Sequence, residues 1–148
     1  MVLPYMADNG RILQFASSAA FLPQPRFAIY AATKSFVLSY SRALNVELKS
    51  RRICVTAVCP GPVKTEFFDT AGAFSQIPLY KRLSMADPVK VVRKAIRDSA
   101  AGRSVSVYGP LMKLFSFFAK LLPHSLILKG WEALDMRAAA QNTAPPQE

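Results

Sequence analysis

The chain has 148 residues, a length that suits one domain of ordinary size. Half of them are apolar, and 19 Lys and Arg against 9 Asp and Glu leave a formal charge of +10, which points to an anionic partner: nucleic acid, a lipid surface or a phosphate-bearing cofactor. Two cysteines and one histidine, His124, exclude a disulfide framework and a zinc site of ordinary composition.

The opening MVLPYMADNGR has no basic n-region and only a short apolar run, so it does not read as a signal peptide. The turn-forming pair Asn9-Gly10 precedes a short strand, residues 12–16, ILQFA. Pro23 and Pro25 make residues 19–26 a loop. From Phe27 to Ser50 there is no Gly or Pro, and the pattern is helical. Tyr30, Lys34, Val37, Leu38 and Ser41 share one side of that helix; Phe36, Tyr40, Ala43 and Leu44 share a neighbouring one.

Residues 53–59, ICVTAVC, form a second strand, apolar on both faces apart from Thr56, as a buried parallel strand requires. Cys54 and Cys59 point to opposite faces of it, so they read as free core thiols of a reducing compartment, hence the cytoplasm. Pro60-Gly61-Pro62 ends the strand, and residues 65–83 read as a loop with short helical pieces. Asp87 and Pro88 form a cap and first turn for a helix to Ala101, with Gly102 as its stop. Val89, Val92, Ala95 and Ile96 are expected to face inward; Lys90, Lys94 and Arg97 face out, with Arg93 at the border. SVSVY, residues 104–108, alternates as a third strand. Gly109-Pro110 leads into an apolar helical region broken at Pro123. The domain then occupies residues 1–136, with a polar, Pro-containing tail over 137–148 expected to be disordered. Strands alternating with helices imply an α/β layer with parallel strands.

The stretch SSAAFLPQPRFAIYAATK places Ser17 thirteen residues before Tyr30 and Lys34 four after it. Residues i and i+4 of a helix share a face, so phenol and ammonium act on one small volume. A free tyrosine titrates near pH 10, and a neighbouring ammonium favours its phenolate. Such a pair suits moving a proton onto or off an oxygen. Ser17 follows the carboxyl end of a strand, where open α/β sheets bind ligands, and its hydroxyl suits holding a carbonyl oxygen there. The pattern Tyr-x-x-x-Lys also arises as a lysine stem lying along a half-buried tyrosine. What distinguishes this instance is the serine-bearing strand end before it and PGPVKT closing the next strand at the same edge.

GRILQFASSAAFLPQPRFAIYAATKSFVLSYSRALNVEL followed by VTAVCPGPVKTEFF resembles the short-chain dehydrogenase/reductase family. The resemblance covers residues 1–110 and, more weakly, the rest. It implies a partial Rossmann-like, doubly wound parallel sheet of about three strands, matching the family's strands 5, 6 and 7, with C-terminal helices. It implies NAD or NADP as cofactor and a carbonyl or secondary alcohol as substrate. Ser17 matches the catalytic serine better than Ser18 does. Tyr30 matches the general acid/base, which also contacts the cofactor, and Lys34 the lysine that also holds the nicotinamide ribose. Pro60, Gly61 and Thr65 match the motif after the sixth strand, whose backbone at Val63 and whose threonine contact the nicotinamide carboxamide and diphosphate. The helix carrying Tyr30 commonly lies in a dimer interface in this family, which implies a homodimer or larger oligomer.

The chain's six glycines form no phosphate-binding cluster ahead of a helix, so cofactor binding by this chain alone is in question. Two function classes stay open: a nicotinamide-dependent oxidoreductase acting on a hydrophobic, lipid-like substrate, and a non-catalytic remnant that associates with a full-length relative or a membrane surface. In LMKLFSFFAKLL, residues 111–122, Lys113, Ser116 and Lys120 form a narrow polar stripe on an otherwise apolar helix. That pattern suits peripheral membrane contact, or packing over a substrate cleft. Nucleic acid is the least suited partner, because the basic residues are dispersed and no recognised module is present.

Overall fold

Three short stretches pair side by side: β1 (Arg11–Phe15), β2 (Cys54–Val58) and β3 (Val105–Ser106). The computed structural model describes residues 3–64 and 85–142, with no side-chain description beyond 133. The sheet is parallel in the order β1-β2-β3, with Ile12 opposite Val55 and Val58 opposite Ser106. Among the described residues β1 has one neighbour, so it stands at the sheet's edge, as expected for the first of the three. The loop expected at 65–83 lies outside the described residues.

Two helices cover opposite faces. α1 (Ala28–Glu47) connects β1 to β2, and α2 (Pro88–Ala100) precedes β3. Val55 packs with Leu44, Leu48 and Ile12 on the α1 face, whereas Val58 packs with Val91 and Ala95 on the α2 face. Period-two alternation along β2 thus feeds two cores, which is why that strand has no polar face. Its one polar side chain, Thr56, is fully buried and donates to the Arg103 carbonyl at 2.7 Å. Val55 N–H, beyond the reach of short β3, donates to Asn45 Oδ1 of α1 at 2.8 Å.

α2 begins and ends as its sequence predicts. Asp87 accepts from Val89 N–H at 2.8 Å, with Pro88 in the first turn. Gly102 adopts φ +72°, and the Gly102 and Arg103 N–H groups close onto Ser99 and Asp98 carbonyls. The inward face is different. Val91, Ala95, Asp98 and Ser99 are buried, while Val89, Val92 and Ile96 are 46% to 57% exposed. The helix is turned by about a quarter of a revolution from the orientation its apolar arc suggests. The cause is a polar anchor: Asp98 accepts from Ser106 Oγ of β3 at 2.6 Å and from Lys94 Nζ at 2.7 and 2.9 Å. Lys94, expected outside, is half-buried by that contact.

Beyond β3, α3 (Pro110–Leu121) packs Phe115 and Ala119 into the α1-side core beside Phe21 and Leu38. Pro123 breaks the helix, and α4 (His124–Asn142) follows. α4 therefore covers residues 137–142, the start of the segment expected to be a disordered tail; Ala138, Ala139 and Ala140 are strong helix formers there. Residues 143–148 lie outside the described residues.

Candidate active site

The connections leaving β1 and β2 meet at the carboxyl end of the sheet. After Phe15 the chain makes a short 3-10 turn, Ser18–Phe21, capped by Ser17. This turn replaces the first part of the loop expected from residue 19. Ser18 N–H donates to the Pro60 carbonyl at 2.8 Å, so the Ser17 segment is fastened to the Pro60-Gly61-Pro62 segment that ends β2.

Ser17 is half-buried, with extended backbone. Its Oγ accepts from Ala19 N–H at 3.2 Å. An oxygen engaged as acceptor keeps its own proton for donation, so the hydroxyl is set to give a hydrogen bond to a carbonyl oxygen.

Tyr30 and Lys34 lie on the first turns of α1. Lys34 Nζ donates to the carbonyl of Phe15 at 2.9 Å and sits 5.7 Å from the centroid of the Tyr30 ring. The Phe15 carbonyl belongs to the unpaired edge of β1, and Lys34 gives it an acceptor's partner. An ammonium has three donors, and this bond uses one. The Tyr30 ring packs against Phe27 with centroids 5.0 Å apart, and the residue is 40% exposed. Among the described residues its hydroxyl has no hydrogen-bond partner. Ser35, one position on from the lysine, donates to the Ala20 carbonyl at 3.0 Å and ties α1 to the 3-10 turn. The sequence pattern did not single it out; a serine on the helix face turned towards the β1 connection is the only signal it gives.

Past Pro60, Gly61 is held against Met112 of α3: a Cβ there would lie 2.6 Å from the Met112 sulfur. Val63 forms an isolated parallel bridge with Ala86. That bridge uses the Ala86 N–H and C=O, bonded to Pro62 and Lys64, and leaves the Val63 N–H uncommitted among the described residues. A cleft of about 500 Å³ opens here between Gly61, Pro62, Ala86, Tyr108 and Met112. It does not include Ser17, Tyr30 or Lys34. Thr65, the remaining residue expected at the site, lies outside the described residues.

The Cys59 thiol, just before Pro60, is buried in the α1-side core beside Ala16, Phe21 and Leu38. Burial pushes it up from 9.0 to about 11, against the smaller opposing effects of Arg42 and a hydrogen bond with the Ser17 backbone. Both cysteines are free. The structure therefore gathers Lys34, Ser17 and Pro60-Gly61 at one end of β1 and β2, with Tyr30 one turn before Lys34. His124 is exposed at the start of α4. Among the described residues no group of His, Cys, Asp or Glu is arranged to hold a metal.

A family profile described as short chain dehydrogenase matches residues 1–75. The very-long-chain 3-oxoacyl-CoA reductase of Mus musculus is 43% identical over 68 residues, 45% of this chain and 22% of that protein. A short-chain type dehydrogenase/reductase of Picea abies is 41% identical over 60 residues, 40% of this chain and 22% of that protein. Among solved structures, a short-chain dehydrogenase from Sphingobium yanoikuyae in complex with NADPH aligns with TM-score 0.58 and 27% identity over 94% of this chain and 47% of that one. The chain spans less than a third of these curated relatives and about half of the solved structure.

Proposed function

This chain belongs to the short chain dehydrogenase family, and we propose that it carries the proton-transfer site of a nicotinamide-dependent oxidoreductase that interconverts a ketone and a secondary alcohol. The single observation that carries the reading is the Lys34 Nζ to Phe15 carbonyl bond at 2.9 Å, which holds the ammonium at the strand end from which Ser17 emerges.

The residues present fit the nicotinamide end of the cofactor. Lys34 has donors left for ribose hydroxyls, and the uncommitted Val63 N–H suits a carboxamide oxygen. Pro60 and Gly61 set the backbone that leads to it, and Thr65 follows in sequence. Bound there, NAD or NADP would supply or accept the hydride.

This chain's own part is the oxygen. Ser17 Oγ–H donates to the substrate carbonyl oxygen and stabilises the charge that develops on it. The Tyr30 phenol gives that oxygen its proton in the reducing direction and takes it back in the oxidising one. The Lys34 ammonium favours negative charge on the phenol oxygen while the proton is away. The inward apolar face of α3, with Met112 against Gly61, supports a hydrophobic substrate, and the mouse relative is named for reducing very-long-chain 3-oxoacyl-CoA. Self-association through the outer face of α1, where Phe36 and Tyr40 stack with centroids 6.0 Å apart, belongs to the same reading.

The test follows the melting temperature and nicotinamide fluorescence of the chain with NADPH and with NADH. A ligand at about a hundred times its Kd raises stability by about 2.7 kcal/mol. Tyr30→Phe should keep the fold, because the hydroxyl it removes has no partner among the described residues. The same variant should lose roughly 10²- to 10⁴-fold in turnover. A folded chain that neither cofactor stabilises, or a Tyr30→Phe enzyme as fast as its parent, would overturn the proposal.

A further inference from the structure

The outer face of α3 and the start of α4 have no role in the site above. On α3, Met112, Phe115, Ser116 and Ala119 recur at helical spacing and form the inward stripe. A second apolar stripe is turned outward: Leu111, Leu114, Phe117, Phe118 and Leu121, each 49% to 62% exposed. The exposed apolar surface continues across the Pro123 break in Leu126 and Trp131.

Its charge is one-sided. Between Asp98 and Glu132 the chain has no acidic residue, while Lys113, Lys120 and Lys129 punctuate α3 and α4. Lys113 and Lys120 form a strip beside the exposed apolar stripe. At the other end, Lys90 and Tyr108 line both the cleft that reaches Leu111, which also holds Asp87, and a groove in which Arg93, Lys94 and Arg97 outnumber Asp98. An apolar face rimmed by cations and carrying a Trp has the composition of a helix that lies in a membrane interface.

We propose that α3 and the first turns of α4 dock this protein on an anionic bilayer surface. The outward leucines and phenylalanines enter the acyl boundary, and the lysines meet headgroup phosphates. The elements lie along the surface instead of crossing it. The 12 residues of α3 span about 18 Å, against a hydrocarbon core of about 30 Å. The axis bends by 111° between α3 and α4, and no single described helix is long and apolar enough to span. A second copy of the chain suits this face poorly, because it brings the same lysine rim, Lys113 and Lys120, against itself. An anionic surface is complementary to that rim.

The chain contains one tryptophan, so Trp131 emission reports on this region alone. The whole chain is mixed with phosphatidylcholine vesicles, with or without about one third phosphatidylglycerol, at low and high salt. Expected are co-sedimentation and a blue-shifted Trp131 emission with the anionic vesicles, both weakened by salt. The double variant Leu114→Glu, Phe118→Glu should lose at least about tenfold in partitioning. Both side chains are exposed, so its far-ultraviolet circular dichroism should match the parent's. Failure to bind anionic vesicles, equal binding by the double variant, or a concentration-dependent blue shift without vesicles that lipid does not change would each overturn the proposal. The last result would assign the face to a second copy. None of these readouts uses turnover or cofactor, so they succeed or fail separately from the catalytic reading.

Discussion

Asp98→Asn tests the anchor that turns α2. Asp98 is 7% exposed and binds two elements at once: Lys94 on its own helix, and Ser106 on β3 at 2.6 Å. Arg103 adds a weaker contact at 3.6 Å from an exposed side chain, which contributes little. Asparagine keeps the shape, and its one oxygen can still take the two bonds that end on Oδ2, but it gives up the charge that strengthens them, and its amide N–H2 meets Lys94 where Oδ1 accepted. Lys94 can recover hydration, because its side chain is 24% exposed; Ser106, at 3%, cannot. The full cost of breaking a buried pair, about 3–5 kcal/mol, therefore reduces to that of one charge-assisted hydrogen bond, about 2 kcal/mol. For a chain of this size that corresponds to a melting temperature lower by roughly 4–8 °C. The pH dependence fixes the sign. Burial alone would raise the carboxyl, but the hydrogen bonds from Lys94 and Ser106 and the fields of Lys94 and Arg103 outweigh it and hold it below its ordinary 3.8. A carboxyl lowered on folding contributes stability above its unfolded value and loses it as pH falls through the folded one. The gap between parent and variant should stay constant from neutral pH down to about pH 5 and close below 3.8. Thermal unfolding followed by circular dichroism at several pH values measures this. A gap under about 1 °C at pH 7, or one that persists undiminished in acid, would refute the assignment.

Two further outcomes follow from buried side chains. With iodoacetamide near pH 8, native chain should be alkylated at half-buried Cys54 and spared at Cys59, whose thiol is buried and pushed up to about 11; urea should expose both. Equal rates at the two cysteines in native protein would contradict that burial. Ser99 Oγ is buried without a hydrogen-bond partner among the described residues, while its backbone carbonyl accepts from Arg11. Ser99→Ala should leave urea stability unchanged or raise it, within about 1 kcal/mol; a larger loss would reveal a partner for that hydroxyl.

The three strands and the caps of α2 were legible from local chemistry, apolar runs bounded by turn residues, an Asp-Pro start and a Gly stop, and the parallel order from strands alternating with helices. The positions of Ser17, Tyr30 and Lys34 were legible as a spacing. What the spacing did not contain is the means by which they are held. The Lys34 bond to Phe15 and the Ser18 bond to Pro60 both end on backbone carbonyls, which every residue has, so side-chain identities gave no sign of them. The 3-10 turn at Ser18–Phe21 was hidden for a similar reason. The prolines that follow mark a loop but say nothing of how the chain enters it.

The misassigned face of α2 has a different origin. An amphipathic pattern states which side chains favour leaving water; it does not state which neighbour they leave it for. On the α1 face of the sheet the two agree, and Leu38, Leu44 and Val55 are buried together with their strand partners. On the α2 face they part. Val58 meets Val91 and Ala95 there, with half-buried Val63, Ala86 and Tyr108 beside them, and Asp98 fixes the helix by a polar contact. Val89, Val92 and Ile96, the residues with the strongest pattern, stay exposed, as do Leu13 and Phe15, which register with Thr56 and Val58 on that same face of β1. The polar anchor decides the rotation because Asp98 has one arrangement that satisfies its charge. Apolar side chains have many that are nearly as good, and they yield to it. The site benefits from that order of precedence: β3 and α2 are pinned to each other by Asp98 and Ser106, and the Val63–Ala86 bridge just before α2 joins that pinned pair to the Pro60-Gly61 rim.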